Sequence, residues 1–208
     1  MQPGRVVRCE RGYPVVIAGR CNAAILRDVS PILEHTSHRP WLLPERPWAM
    51  HMSWEHLAFI HWRADADAIR RQLPKGMVLD CFDGSAWLGV VPFLMNRVHA
   101  RWLPGIPPTN RFLELNVRTY VICDGKPGVW FFSLDAASRL AVWGARTFFN
   151  LPYFNAEMAA SFETRVEYRS RRTHRGSAGG EFEAAYEPTG KVFRSETGTL
   201  EHWLTERY

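Results

Sequence analysis

The sequence predicts an α+β domain, built mostly of strands with a few flanking helices, and three observations lead there. Apolar residues alternate with a period of two over several segments that end at Gly- and Pro-rich turns. One segment in the second half carries a helical apolar period instead. The composition, 46% hydrophobic and 23% charged over 208 residues, is that of an ordinary globular chain, and its nine tryptophans and twelve phenylalanines can fill one core without disulfides or structural metal.

Residues 1–46 are expected to be an N-terminal extension, loose or poorly ordered, with arginines mixed among short apolar runs and no sustained periodicity. Pro40, Pro44 and Pro47 interleave with Trp41 and Trp48, which suits an extended segment. A single domain is expected over 47–208. Within it, Asp65 caps a helix over 65–73, in which Ala66, Ile69, Arg70 and Leu73 share a face, and Pro74-Lys75-Gly76 stops it. Segments 77–82 and 86–95 read as a hairpin about Asp83-Gly84, with Pro92 marking an edge or a bulge. Strand 113–123 places Leu113, Leu115, Val117, Val121 and Cys123 on one side. Glu114, Asn116, Arg118 and Tyr120 fall on the other, a face that is either wet or a polar pocket.

The turn 124–128 leads to strand 129–134, apolar on both faces and so expected at the centre of a sheet. Helix 136–149 follows, with Ala137, Leu140, Ala141, Gly144 and Phe148 as its apolar stripe and Arg139 and Arg146 opposite. Strand 162–168 alternates Phe162, Thr164, Val166 and Tyr168 inward against charged neighbours, and pairs as a hairpin with 182–186 across the loop 171–180. A short helix over 200–207 ends the chain.

A formal charge of +5 bears on association rather than on fold. The cysteines, Cys9, Cys21, Cys81 and Cys123, show no metal or disulfide spacing and read as reduced thiols of a cytoplasmic protein. No stretch approaches the length of a membrane span. His51, His56 and His61 recur at a spacing that shares neither a helix face nor a strand face, so no metal site and no cofactor are expected, and His61 reads as a hydrogen-bonded structural residue. The arginine cluster 169–175 lacks interleaved aromatic residues and reads as a solvated loop, not a nucleic-acid contact.

Five runs, taken in order, resemble a known family: His61-Trp62; Asp83-Gly84 with Ala86-Trp87-Leu88-Gly89; Glu114 to Val121; Gly128 to Asp135; and Leu151-Pro152-Tyr153-Phe154. They are similar to the YqjF-like family, grouped with the acetoacetate decarboxylase-like superfamily, over Pro47 to Tyr208. The resemblance implies a mostly antiparallel, barrel-like sheet whose pocket opens into the sheet. It places Tyr153 where the decarboxylase carries its Schiff-base lysine, and Gly89 near where the decarboxylase carries a second pocket glutamate. It also implies that related chains continue beyond Leu204 to Tyr208, so the domain is expected to be short at its C-terminus.

An iminium needs a desolvated amine, and the lysines, Lys75, Lys126 and Lys191, all sit in turn sequences. Schiff-base decarboxylation is therefore not expected. The reading is a domain that binds a small organic acid or carbonyl compound, with Glu114 as acid or base and Tyr153 as hydrogen-bond donor. Arg118, Arg63, Arg146 and Trp130 are expected to line the site. Two alternatives stand beside it: a non-covalent lyase or isomerase working through Glu114, and a structural or interaction protein with a filled pocket. Neither nucleic acid nor membrane is expected as a partner, and a second copy of the chain is the remaining candidate.

Overall fold

The structure is a computed structural model; it describes residues 45–207, the strands Arg5–Val7 and Val15–Gly19, and single residues at 34, 36, 42 and 43. The expected extension 1–46 thus lies for the most part outside the described residues. The strands in chain order are β1 (Arg5–Val7), β2 (Val15–Gly19), β3 (Met50–Glu55), β4 (Leu57–Ala64), β5 (Val78–Leu79) and β6 (Ala86–Ala100). They continue with β7 (Arg111–Cys123), β8 (Lys126–Ala136), β9 (Tyr153–Phe162), β10 (Val166–Arg172) and β11 (Glu181–Tyr186). The helices are α1 (Ala66–Arg70), α2 (Arg139–Phe149) and α3 (Leu200–Thr205).

All the strands join one curled, half-barrel sheet in the order β1-β2-β4-β6-β7-β8-β9-β10-β11, with β3 also on β6 and β5 also on β7. Every pairing is antiparallel except that of β8 with β9, which is parallel over Leu134↔Tyr153, Asp135↔Phe154 and Ala136↔Asn155. Parallel neighbours require a crossover, and α2 is that crossover. Ser138 caps α2 by accepting from the Ala141 amide, and Asn150 ends it in the left-handed region at φ 52°. Pro152 follows two residues later, so the chain cannot continue the helix and enters β9 extended.

The main core packs Phe59, Trp87, Val91, Phe93, Tyr120, Val142, Leu200 and Leu204 together. α1 forms as its sequence asks, Asp65 accepting from the Ala68 amide at 2.6 Å. Asp124-Gly125, with φ of 50° and 74°, makes the tight turn between β7 and β8.

Two expectations need correction. The segment 77–82 does not form a hairpin with β6: β5 pairs instead with β7, at Val78↔Ile122 and Leu79↔Val121. The Asp83-Gly84 turn forms, but it joins only the single bridge Phe82↔Ser85. β6 has β4, β3 and β7 as partners, which leaves no room beside it. Residues 162–168 are not one strand. Phe162 ends β9, Val166 begins β10, and the alternation continued by chance through the turn between them. The apolar stripe of α2 is largely exposed, with Ala141 packed against the main core and the neighbouring Val142 buried in it.

Two irregularities explain other patterns. β4 leaves β6 at Ile60↔Val90 and β3 takes over at Glu55↔Leu94, with His56 at φ 52° in the break. Pro92, which has no N–H to offer, sits opposite that break. In β8 the register jumps from Arg118↔Phe131 to Val117↔Ser133, so Phe132 is a bulge residue. The bulge resets the alternation, which is why 129–134 is apolar on both faces.

Candidate functional site

Strand β7 runs unbroken, so its even-numbered side chains share one face of the sheet. Glu114, Asn116, Arg118 and Tyr120 are all buried on that face, which makes it a polar stripe inside the protein rather than a wetted surface. Burying such groups is costly unless they are hydrogen-bonded, and the partners divide the stripe into two centres.

At the first centre Glu114 is 1% exposed. The Tyr153 hydroxyl donates to its two carboxyl oxygens at 3.1 and 3.0 Å. The Tyr168 hydroxyl donates to the Glu114 carbonyl at 2.8 Å and lies 3.3 Å from that of Phe93, fixing the backbone beneath. Among the described residues no cation lies within ion-pair distance of the carboxyl group. Burial therefore dominates and pushes Glu114 from its ordinary value of 4.5 up to about 8, while hydrogen bonds from Tyr153 and Asn116 pull it partly back. Burial, and then the Glu114 charge, raise the Tyr153 phenol. Glu114 is thus mostly a neutral carboxylic acid at neutral pH, a form that can donate to an oxygen as well as accept. The Asn116 Oδ1 beside it is buried and has no hydrogen-bond partner among the described residues.

The second centre lies further along β7. The Tyr120 hydroxyl donates to the Leu204 carbonyl at 3.1 Å, and His61 Nε2 lies 2.6 Å from the same hydroxyl. Arg118 donates to the Leu204 carbonyl at 3.1 Å and to Tyr120 at 3.3 Å, its guanidinium stacked over Phe59. A cation at the C-terminal end of α3 meets the negative end of the helix dipole. Arg207 completes the attachment, donating to Asp80 at 2.6 Å and lying over the Trp203 ring. Gly89 makes the crowding possible: a Cβ there would stand 2.9 Å from His61 Nε2 and 3.3 Å from the Arg118 Cγ. The position expected near a second pocket glutamate is therefore closed to any longer side chain.

Of the residues expected in the site, Glu114 and Tyr153 are brought into direct contact. Arg118 is spent on α3 and Tyr120. Arg63 hydrogen-bonds Ser85 and lies 3.5 Å from Asp83 at the surface, over the Trp87 ring. Arg146 donates to the Tyr153 carbonyl at 2.7 Å, so it holds the residue's backbone rather than reaching its hydroxyl. Trp130 pairs with Thr119, whose side chain points away from the Glu114 face. Tyr153 and Phe154, neighbours on a strand, point to opposite faces, so Tyr153 alone enters the interior.

Phe154 instead lies beneath Arg172, whose guanidinium is 4.3 Å from the ring centroid and grips Asp135 at 2.7 to 3.1 Å through two nitrogens. Neither this pair, which lies on the face of the sheet opposite the Glu114 carboxyl group, nor the contact of Tyr168 with the Glu114 carbonyl is expected from the sequence. Carrying the period of two from Tyr168 through Ser170 to Arg172 would have singled Arg172 out from its solvated neighbours. Arg169 and Arg171, by contrast, pair with Glu183 and Glu157 on the outer face. The three lysines are all exposed, so none supplies a desolvated amine.

Sheet and stripe together define the class: an α+β protein whose curled, largely antiparallel sheet encloses a neutral carboxyl group held by a tyrosine. The chain belongs to the DUF2071 family, described as an uncharacterized conserved protein, whose model matches residues 51–208. It is 45% identical over 167 residues to the uncharacterized protein YqjF of Bacillus subtilis (strain 168), a match covering 80% of this chain and 68% of that protein. A crystal structure of acetoacetate decarboxylase from Legionella pneumophila subsp. pneumophila str. Philadelphia 1 is similar at a TM-score of 0.49 and 16% identity, over 73% of this chain and 56% of that one. The enduracididine biosynthesis enzyme MppR is similar at a TM-score of 0.47 and 16% identity, over 62% of this chain and 53% of that one. This chain spans just over half the length of each of those solved chains.

Proposed function

We propose that this protein binds a small organic acid or carbonyl compound on the inner face of its sheet, with Glu114 as the group that meets the ligand oxygen. The observation that carries the reading is a carboxyl group 1% exposed, with no cation beside it among the described residues, and bonded instead by a phenol. A carboxylic acid kept neutral in this way donates a hydrogen bond to a carbonyl oxygen, and Tyr153 is placed to donate a second. The ligand enters by displacing the Tyr153 hydroxyl from Glu114. No covalent step through lysine is part of the proposal. Contact with nucleic acid is not part of it either, since the outward arginines of β10 face glutamates.

Calorimetry and thermal shift against matched ketones, keto acids and simple carboxylates test the proposal. Binding by at least one class, weakened about tenfold or more by Glu114→Leu or Tyr153→Phe, is expected, since losing one such contact costs on the order of 1.4 kcal/mol or more. If neither substitution changes the affinity of any ligand found, the site is elsewhere. If nothing binds, the filled-pocket alternative stands. Borohydride trapping with a keto acid is expected to label no lysine.

A second reading rests on the Glu114 titration near neutrality, where a general acid or base works best. Glu114 would then move a proton at a carbon beside the ligand carbonyl while Tyr153 stabilises the enolate. Exchange of such protons with deuterated solvent is expected to be lost in Glu114→Gln; exchange that persists at the same rate rules this reading out.

A further inference from the structure

Asn116 sits next to Glu114 on the inner face of β7 and is 2% exposed. Its amide nitrogen donates to the Glu114 carboxyl group, whereas its Oδ1 is buried with no hydrogen-bond partner among the described residues. Buried polar groups are nearly always paired, because an acceptor left open away from water is destabilising. The open Oδ1 therefore marks where a donor belongs, immediately beside the carboxyl group that meets the ligand oxygen in the function proposed above.

That pairing of groups discriminates among ligands, and the choice rests on the reading of Glu114 as the ligand contact. A carboxylate brings negative charge to a place where the stripe's arginine, Arg118, is held by the Leu204 carbonyl and Tyr120, and where Arg146 is held by the Tyr153 carbonyl. Its oxygens would also meet the Asn116 Oδ1, which can only accept. A ketone satisfies the Glu114 hydroxyl but leaves Oδ1 open. An amide with an N–H satisfies both. Neutral Glu114 accepts from the Asn116 amide through one oxygen and donates through the other to the ligand carbonyl, and the ligand N–H donates to Oδ1. Each donor then meets an acceptor, in a closed ring of hydrogen bonds. Side chains two residues apart on a strand lie about 7 Å apart along it, within reach of one amide group and its hydrogen bonds.

We infer that the inner-face site selects an uncharged amide bearing an N–H, a carboxamide or a lactam, over ketones and carboxylates, and that Asn116 is the residue that makes the selection.

Calorimetry of the full chain with matched probes tests the inference: benzamide, N,N-dimethylbenzamide, acetophenone and benzoate, and the corresponding series from hexanamide to hexanoate. The primary amide is expected to bind about tenfold or more tightly than its ketone, dimethylated and carboxylate counterparts, the ratio that one further buried hydrogen bond gives. These wild-type ratios need no variant to fold. In Asn116→Leu, with folding checked by circular dichroism, the amide is expected to lose its advantage while the ketone keeps its affinity. Ketones or carboxylates that bind the wild-type protein as tightly as amides, and that Glu114→Leu weakens, overturn the selection of amides and leave Glu114 as the ligand contact. An amide preference that persists in Asn116→Leu overturns the role of Asn116. Binding by no probe, or affinities that Glu114→Leu leaves unchanged, overturns the Glu114 site and this inference with it.

Discussion

Glu114 couples the interior to pH, and the direction follows from its raised value. The unfolded carboxyl ionises near 4.5, whereas the folded one holds its proton to about 8. Its contribution to stability is therefore complete below about pH 4.5, falls as pH rises, and is lost by about pH 8, with a limiting slope of ~1.4 kcal/mol per pH unit. Glu114→Gln keeps the shape and removes the titration. The melting temperature of the variant relative to wild type is expected to rise steadily from pH 5 to pH 8 and then level off; a difference independent of pH would mean that Glu114 is ionised in the folded protein. Gly89 is the other residue with a sharp expectation. Gly89→Ala drives a methyl group against His61 and the Arg118 stem. A loss of about 1–3 kcal/mol in urea unfolding is expected, typical of overpacking in a filled interior.

At the level of elements, β9 is held in place by its neighbours rather than by long pairing with β8. Arg172 on β10 reaches Asp135 on β8, and Arg146 on α2 holds the Tyr153 carbonyl. Side-chain exposures of 16% and 6% make the Arg172–Asp135 pair largely desolvated. Removing one member of such a pair leaves a buried charge and costs about 3–5 kcal/mol. Arg172→Met is expected to lose that much in denaturant unfolding. The double variant Arg172→Met with Asp135→Asn is expected to recover part of the loss, and a double variant no more stable than the single one would mean that the pair holds nothing. α3 depends on a similar arrangement, since Arg118, Tyr120 and Arg207 all anchor its last turn.

At the level of the whole molecule, the sheet was legible where its turns were local. The Asp124-Gly125 turn and the pairing of 166–172 with 181–186 follow from residues close in sequence. The partner of 77–82 was not legible, because β5 pairs with a strand forty residues on, and nothing in an alternating pattern names the partner. The contacts of the candidate site are legible in part. Glu114 and Tyr153 came from a polar alternation and a resemblance together, but alternation alone could not say whether that face was wet. The fate of Arg118 was set by α3, distant in sequence, whose carbonyl claims the guanidinium. The α2 stripe is legible as apolar but its exposure is not, because periodicity gives the angle of a face and not what lies against it.

The parallel join of β8 to β9 is a seam. It spans only Leu134 to Ala136 on one side and Tyr153 to Asn155 on the other, whereas β9, β10 and β11 are laced to each other along most of their length. A sheet parts first where its lacing is shortest, so β9–β11 are expected to open as a leaf, with amide hydrogen exchange faster across the seam than within β7. The Glu114–Tyr153 contact straddles this seam. A molecule that bonded both residues would act as a stitch, slowing exchange throughout the leaf well beyond the atoms it touches.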